Sequence, residues 1–157
     1  RQMTLPKDRD QMAALLAPLV EQLSGIDLSD PAAARSAVEE RLPFSGELVA
    51  QVREAAFAGA EAGWLTPKEN GGIRFGRVAK DLDGFSVDAV WMDSPGPRHR
   101  HPKGEIDLCF KENDDPRFDG NPEGWVVYGP DSVHVPTVKG GSMLILYFLP
   151  GGAIEFM

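Results

Sequence analysis

The stretch PGPRHRHPKGEIDLCF, residues 95–110, decides how the rest of the chain is read. It sets His99, Arg100 and His101 ahead of Gly104 and Glu105, then alternates Ile106, Leu108 and Phe110 with Asp107 and Cys109. Side chains two apart on a β-strand point to one face, so His99 and His101 aim together. Glu105 lies an even number of positions further on and joins them if the bend at residues 102–104 keeps the parity. The remaining histidine of the three, His134, sits in a second turn-rich stretch, YGPDSVHVP, residues 128–136. A lone His-x-His is a weak signal, and a loop histidine is more often a surface or structural group. Two imidazoles on one face, a nearby carboxylate and a third imidazole on a later strand favour a metal site over that alternative. Three nitrogen donors and one oxygen donor suit a borderline divalent ion, with Fe, Mn and Zn foremost, and leave positions for water or substrate. His99, His101, Glu105 and His134 are the expected ligands.

Working outward, 157 residues suffice for one well-packed core and are too few for two ordinary domains. A formal charge of -8, from 24 acidic against 16 basic side chains, lacks the basic patch that phosphate binding needs. Nucleic acid and anionic membrane are therefore not expected partners. The single cysteine, Cys109, has no partner for an internal disulfide and reads as a small buried hydrophobe within a strand. No apolar run is long enough to cross a bilayer and no signal-peptide core is visible, so a cytoplasmic protein is expected.

Residues 1–63 read as a helical lead-in of about three helices. Met12, Leu15, Leu16, Leu19, Val20 and Leu23 have the spacing of an amphipathic helix that Pro18 should kink. Ser29, Asp30 and Pro31 give a cap and a first-turn proline for a second helix, ended by Pro43. Ser45 is expected to cap a third, closed near Gly63. From Trp64 the texture changes to short alternating runs between glycines and prolines, the pattern of an all-β sandwich or barrel over residues 64–157. A hairpin turn is expected at Lys139, Gly140 and Gly141. The acidic segment 111–124 lacks the spacing of a calcium loop and reads as a solvated surface excursion. No phosphate-cradling glycine loop or nucleophile elbow is present.

The pattern resembles the cupin superfamily, whose first motif carries His-x-His and a later Glu, and whose second carries a Pro/Gly turn before the last His. His99, His101, Glu105 and His134 match those positions, with Gly129 and Pro130 as the turn. The glycine that usually precedes the first His is out of place, none follows Glu105 at the usual distance, and Val138 stands where Asn is usual. The resemblance implies a mainly β fold, a cupin-like double-stranded β-barrel (jelly roll) behind the helical lead-in. Over nearly its full length, through WMDSPGPRHRHPKGEIDLCF (residues 91–110) and VVYGPDSVHVPTVKGGSMLILYFLPGGAIEF (residues 126–156), the chain also resembles the bacterial 4-hydroxylaminobenzoate lyase family. That resemblance implies conversion of 4-hydroxylaminobenzoate to 3,4-dihydroxybenzoate with release of ammonia.

On that expectation Glu105 or Tyr128 moves protons. The substrate's carboxylate needs a cation from Arg77, Arg98 or Lys103, an arginine being preferred for its planar fork. Trp91 and Tyr128, ahead of Phe75, Trp125 and Phe148, are the expected wall for the ring. Two other readings stay open at this stage: a cupin dioxygenase using Fe(II) on an aromatic acid, and a barrel that binds a small acid without catalysis. A homodimer is expected by analogy with other cupin-like barrels.

Overall fold

The computed structural model describes residues 4–157. Three helices come first: α1 (Arg9–Leu23), α2 (Pro31–Arg41) and α3 (Glu47–Ala62). Asp8 caps α1 by accepting from the Gln11 amide, and the helix runs on through Pro18. Asp30 caps α2 in the same way, accepting from Ala33. The third helix departs from expectation at its start, because Gly46, not Ser45, occupies the cap and no side chain satisfies the first turn. It ends as the sequence indicates, with Gly63 in the left-handed region at φ 92°.

Eleven strands follow: β1 (Lys68–Asn70), β2 (Ile73–Leu82), β3 (Phe85–Met92), β4 (His99–His101), β5 (Glu105–Lys111), β6 (Arg117–Phe118), β7 (Gly124–Tyr128), β8 (Ser132–His134), β9 (Val138–Lys139), β10 (Met143–Pro150) and β11 (Glu155–Phe156). They form a six-stranded sheet ordered β1-β2-β3-β10-β5-β7, a three-stranded sheet β11-β4-β8 and a β6-β9 pair. All strand pairings are antiparallel. With three helices ahead of a two-faced antiparallel array, the chain has the expected mainly β, cupin-like build.

Alternation sorts the large sheet into two faces. Val87, Ala89, Ile106, Leu108, Phe110, Trp125, Leu144, Leu146 and Phe148 join Met12, Leu16, Val38 and Val52 of the helices in one apolar cluster. The opposite face carries Met92, Cys109, Val126, Met143, Ile145 and Tyr147, which pack with Phe118 and Val138 from the β6-β9 pair. Helices thus seal the outer face, and the inner face is left to line the site. Trp125 ties the layers together: its indole donates to Leu42 O at 2.9 Å, while Arg35 Nε donates to Trp125 O at 2.7 Å.

Two expectations are corrected here. Gly140 and Gly141 do make a tight turn at φ 86° and 155°, but it is not a hairpin. β9 pairs with β6 while β10 pairs with β3 and β5, so the turn hands the chain from one sheet to another. Nor is segment 111–124 simply a solvated excursion. Phe118 within it is fully buried, and Arg117 and Phe118 form β6.

Candidate metal centre

The histidines are gathered by register. β4 pairs with β8 so that His99 lies directly across from His134, which aligns their side chains on one face. His101, two residues on, shares that face. Glu105 arrives from a different sheet by way of the turn after β4, where Gly104 has φ 85° and donates to His101 O at 3.2 Å. A Cβ on Gly104 would sit 2.7 Å from Tyr128 O, so both the conformation and the space require glycine.

The four side chains present ligand atoms that all lie within 4.8 Å of one another. His99 Nε2 is 2.9 Å from His101 Nε2 and 3.0 Å from His134 Nε2, and the His101–His134 separation is 2.9 Å. Glu105 Oε2 lies 2.9 Å from His101 Nε2 and 3.7 Å from His134 Nε2. His99, His101 and Glu105 are buried, and His134 is 11% exposed at its side chain.

Proton bookkeeping tests whether this set suits a cation. His99 Nδ1 faces Pro97 O at 3.0 Å, and a carbonyl only accepts, so Nδ1 carries the proton. His134 Nδ1 faces the Asp119 carboxylate at 2.7 Å and is protonated for the same reason. In neutral rings both Nε2 atoms are then lone pairs, directed at each other across 3.0 Å with no proton between them. Glu105 Oε2 is buried and without a hydrogen bond. A divalent ion satisfies all of these acceptors together, and burial of acceptors without such a partner is costly. Spacing agrees: two nitrogens at right angles, each about 2.1 Å from one ion, are about 3.0 Å apart. Burial, with His101 next in effect, lowers the His99 pKa and so keeps the ring in its ligating form.

Behind the ligands stands a residue the sequence reading missed. Asp119 has φ 48°, places Oδ2 against both His134 Nδ1 and the Tyr128 hydroxyl, and accepts from the Thr137 amide through Oδ1 at 2.9 Å. Burial works to raise its pKa, yet hydrogen bonds from His134, Tyr128 and Thr137 hold the carboxyl below its usual value. Its only trace in the sequence is one phenylalanine followed by Asp-Gly inside an otherwise polar loop. Tyr128 lies tilted against the His134 ring at 4.3 Å between centroids, and its hydroxyl donates a hydrogen bond to Asp119 Oδ2. Burial and the Asp119 charge push its pKa well up. A second unforeseen acid, Asp107, lies two residues beyond Glu105 on the inner face, fully buried with neither oxygen partnered. Burial and the nearby Glu105 raise its pKa well above the ordinary carboxylate value.

A cavity of about 600 Å³ opens onto the centre. His99 and Glu105 form part of its lining, with Ile73, Phe75, Val90 and Leu149 among its apolar walls and Lys68, Asn70, Arg77 and Asp88 as polar groups. Of the expected substrate-binding residues the cavity includes Arg77 and leaves out Arg98, Lys103 and Trp91. Trp91 points to the helix side of β3, where it meets Phe57 edge-on at 6.5 Å, because its parity is opposite to that of Asp88, Val90 and Met92. Trp125 and Phe148 face the helices too. Arg98 is exposed, outside the lining, and contributes its carbonyl to the Met157 amide. Phe75 stands on the wall as expected, and Phe156, unforeseen, joins it with its ring 5.8 Å from that of His99.

Comparison with known proteins adds to this geometry. A curated 4-hydroxylaminobenzoate lyase from Nocardioides sp. (strain LMS-CY) is 35% identical over 112 residues, covering 62% of this chain and 66% of that protein. One from Pseudomonas putida is 29% identical over 119 residues, covering 62% and 68% respectively. The matched region therefore spans about two thirds of the length of either relative. An RmlC-like cupin from Ralstonia eutropha JMP134 superposes with a TM-score of 0.43 at 13% identity, over 56% of this chain and 61% of that one. The family model described as 4-hydroxylaminobenzoate lyase matches residues 15–156, nearly the whole chain, including every side chain of the centre, and the protein belongs to that family.

Proposed function

We propose that the chain converts 4-hydroxylaminobenzoate and water to 3,4-dihydroxybenzoate and ammonia, with a divalent ion held by His99, His101, Glu105 and His134. The observation that carries this reading is the set of three imidazole Nε2 atoms 2.9–3.0 Å apart, with the Nδ1 partners of His99 and His134 leaving lone pairs on two of them, beside a cavity that His99 and Glu105 line. Family membership supplies the substrate class.

The reaction breaks the N–O bond, forms a C–O bond at the neighbouring ring carbon and replaces nitrogen by oxygen through hydrolysis of an imine. One water enters and one ammonia leaves, so no external oxidant or reductant is needed. A divalent ion in this site supplies Lewis-acid charge for an oxygen leaving nitrogen or entering the ring. The chain's own groups do the rest. Ile73, Phe75, Val90 and Leu149 hold the ring away from bulk water. Glu105 lines the cavity with Oε2 unpartnered, the atom that would join the three imidazoles in holding the ion. Tyr128 and Asp119 stand one layer back, where they fix the tautomer and tilt of His134.

The protein works as a cytoplasmic homodimer on this reading. Supporting the dimer, Val133, Val135, Phe156 and Met157 leave apolar surface exposed around the β11-β4-β8 sheet. Light scattering giving a monomer mass would remove that part. Among the described residues no helix is long and apolar enough to cross a membrane.

The test is turnover of 4-hydroxylaminobenzoate by metal-loaded protein, followed by chromatography with an oxygen electrode in the cell. Formation of 3,4-dihydroxybenzoate and ammonia in equal amounts without oxygen uptake is expected. Stoichiometric oxygen consumption would instead indicate a dioxygenase, and unchanged substrate would end the lyase reading.

A further inference from the structure

We propose that Lys68, with Asn70 beside it on β1, forms the carboxylate-binding end of the cavity and selects anionic aromatic acids over their uncharged counterparts. The inference rests on the reading that the cavity takes a hydroxylaminobenzoate. Alternation puts Lys68 and Asn70 on one face of β1 and Glu69 on the other, and both line the cavity that also contains His99 and Glu105.

Elimination among the cations singles out Lys68. Arg77 lines the cavity too, but its Nε and Nη2 donate to Asp88 at 3.0 and 3.4 Å, so its fork is spent on a carboxylate of the same chain. Asp88 is itself part of the lining, and the pair brings no net charge to a ligand. Arg98 and Lys103 are exposed and lie outside the lining, and Arg74 sits over the Trp91 ring at 4.0 Å on the opposite face of the sheet. Among the described residues lining the cavity, Lys68 is the one cation that forms no ion pair within 4.0 Å.

The surroundings suit an aryl acid. Lys68 is registered directly across from Phe75, and Asn70 across from Ile73, so an ammonium and an amide border the apolar wall on which a ring would lie. Asn70 offers two amide donors to a carboxylate, and Lys68 offers three. An exposed ammonium contributes selectivity more than tight binding, and its effect falls with salt.

Calorimetric titration with 4-aminobenzoate and with aniline, run beside turnover of 4-hydroxylaminobenzoate, tests the assignment. Lys68→Met is expected to weaken 4-aminobenzoate about tenfold, the size of one charge-assisted hydrogen bond, while leaving aniline binding unchanged. KM should rise by a similar factor with kcat within about twofold, and Lys68→Arg should retain most of the preference for the acid. The assignment is overturned if Lys68→Met binds 4-aminobenzoate as wild type does. It is equally overturned if the double variant Arg77→Met/Asp88→Asn loses the preference and Lys68→Met keeps it. Wild-type protein with a Lys68-dependent preference for the acid but no turnover would support the binding site while removing the lyase reading.

Discussion

Asp119 shows how much one side chain behind the ligands sets. By accepting from His134 Nδ1 it forces the lone pair onto Nε2, the atom that faces the other two imidazoles. Asp119→Ala is expected to lower metal affinity about 10–100-fold, read by competition with a chelating dye, whereas Tyr128→Phe should have a smaller effect because the carboxylate stays in place. Retention of wild-type affinity in Asp119→Ala would show that His134 needs no such partner. Asp107 makes a different prediction, about pH. Its folded pKa is raised by burial and by Glu105, so the unfolded chain releases this proton at lower pH than the native one. The stability this group contributes is full below its unfolded value, near 4, and is lost as pH rises toward the folded value. Asp107→Asn is neutral at every pH, so the difference in Tm between metal-free variant and metal-free wild type should move in the variant's favour from pH 5 to pH 8. A difference independent of pH would mean that Asp107 is ionised in the native state.

At the scale of elements, the centre depends on strands meeting from different sheets. Gly104 carries the chain from β4, in the three-stranded sheet, to β5, in the six-stranded one, and so brings Glu105 up to the histidines. Gly104→Ala places a Cβ against Tyr128 O in a left-handed conformation and should cost about 1–3 kcal/mol in urea unfolding. A loss below a few tenths of a kcal/mol would show that the turn relaxes freely. The sequence made part of this arrangement legible. His-x-His on a strand announces a shared face by parity alone, and the change from helical to alternating spacing at Trp64 is plain. The pairing of His99 with His134 was not legible, because register is set by contacts between distant strands. Neither was β6, since two residues, Arg117 and Phe118, show no period. Trp91 was misplaced for a related reason: alternation says that it shares a face with Val87 and Ala89, but not which face the helices cover.

For the molecule as a whole, the layers divide the work. Helices α1–α3 bury the outer face of the large sheet, which leaves the inner face free to carry acids, histidines and a cavity without loss of the main core. Leu108 lies on the helix side and Asp107 on the site side of the same strand. Leu108→Ala should therefore cost about 2–5 kcal/mol of stability, measured by urea denaturation, and leave metal content per folded chain unchanged. Loss of metal from the folded variant would show that the two layers are coupled more closely than their separate clusters indicate.

The central claim is that three imidazoles and Glu105 hold one divalent ion. Elemental analysis by plasma mass spectrometry of the gently purified protein and of His101→Ala tests it most directly. One equivalent of a first-row divalent metal per wild-type chain, and less than about a tenth of that in a folded His101→Ala, is the predicted result. Wild-type protein that takes up no metal, or a variant that keeps the full equivalent, would contradict it.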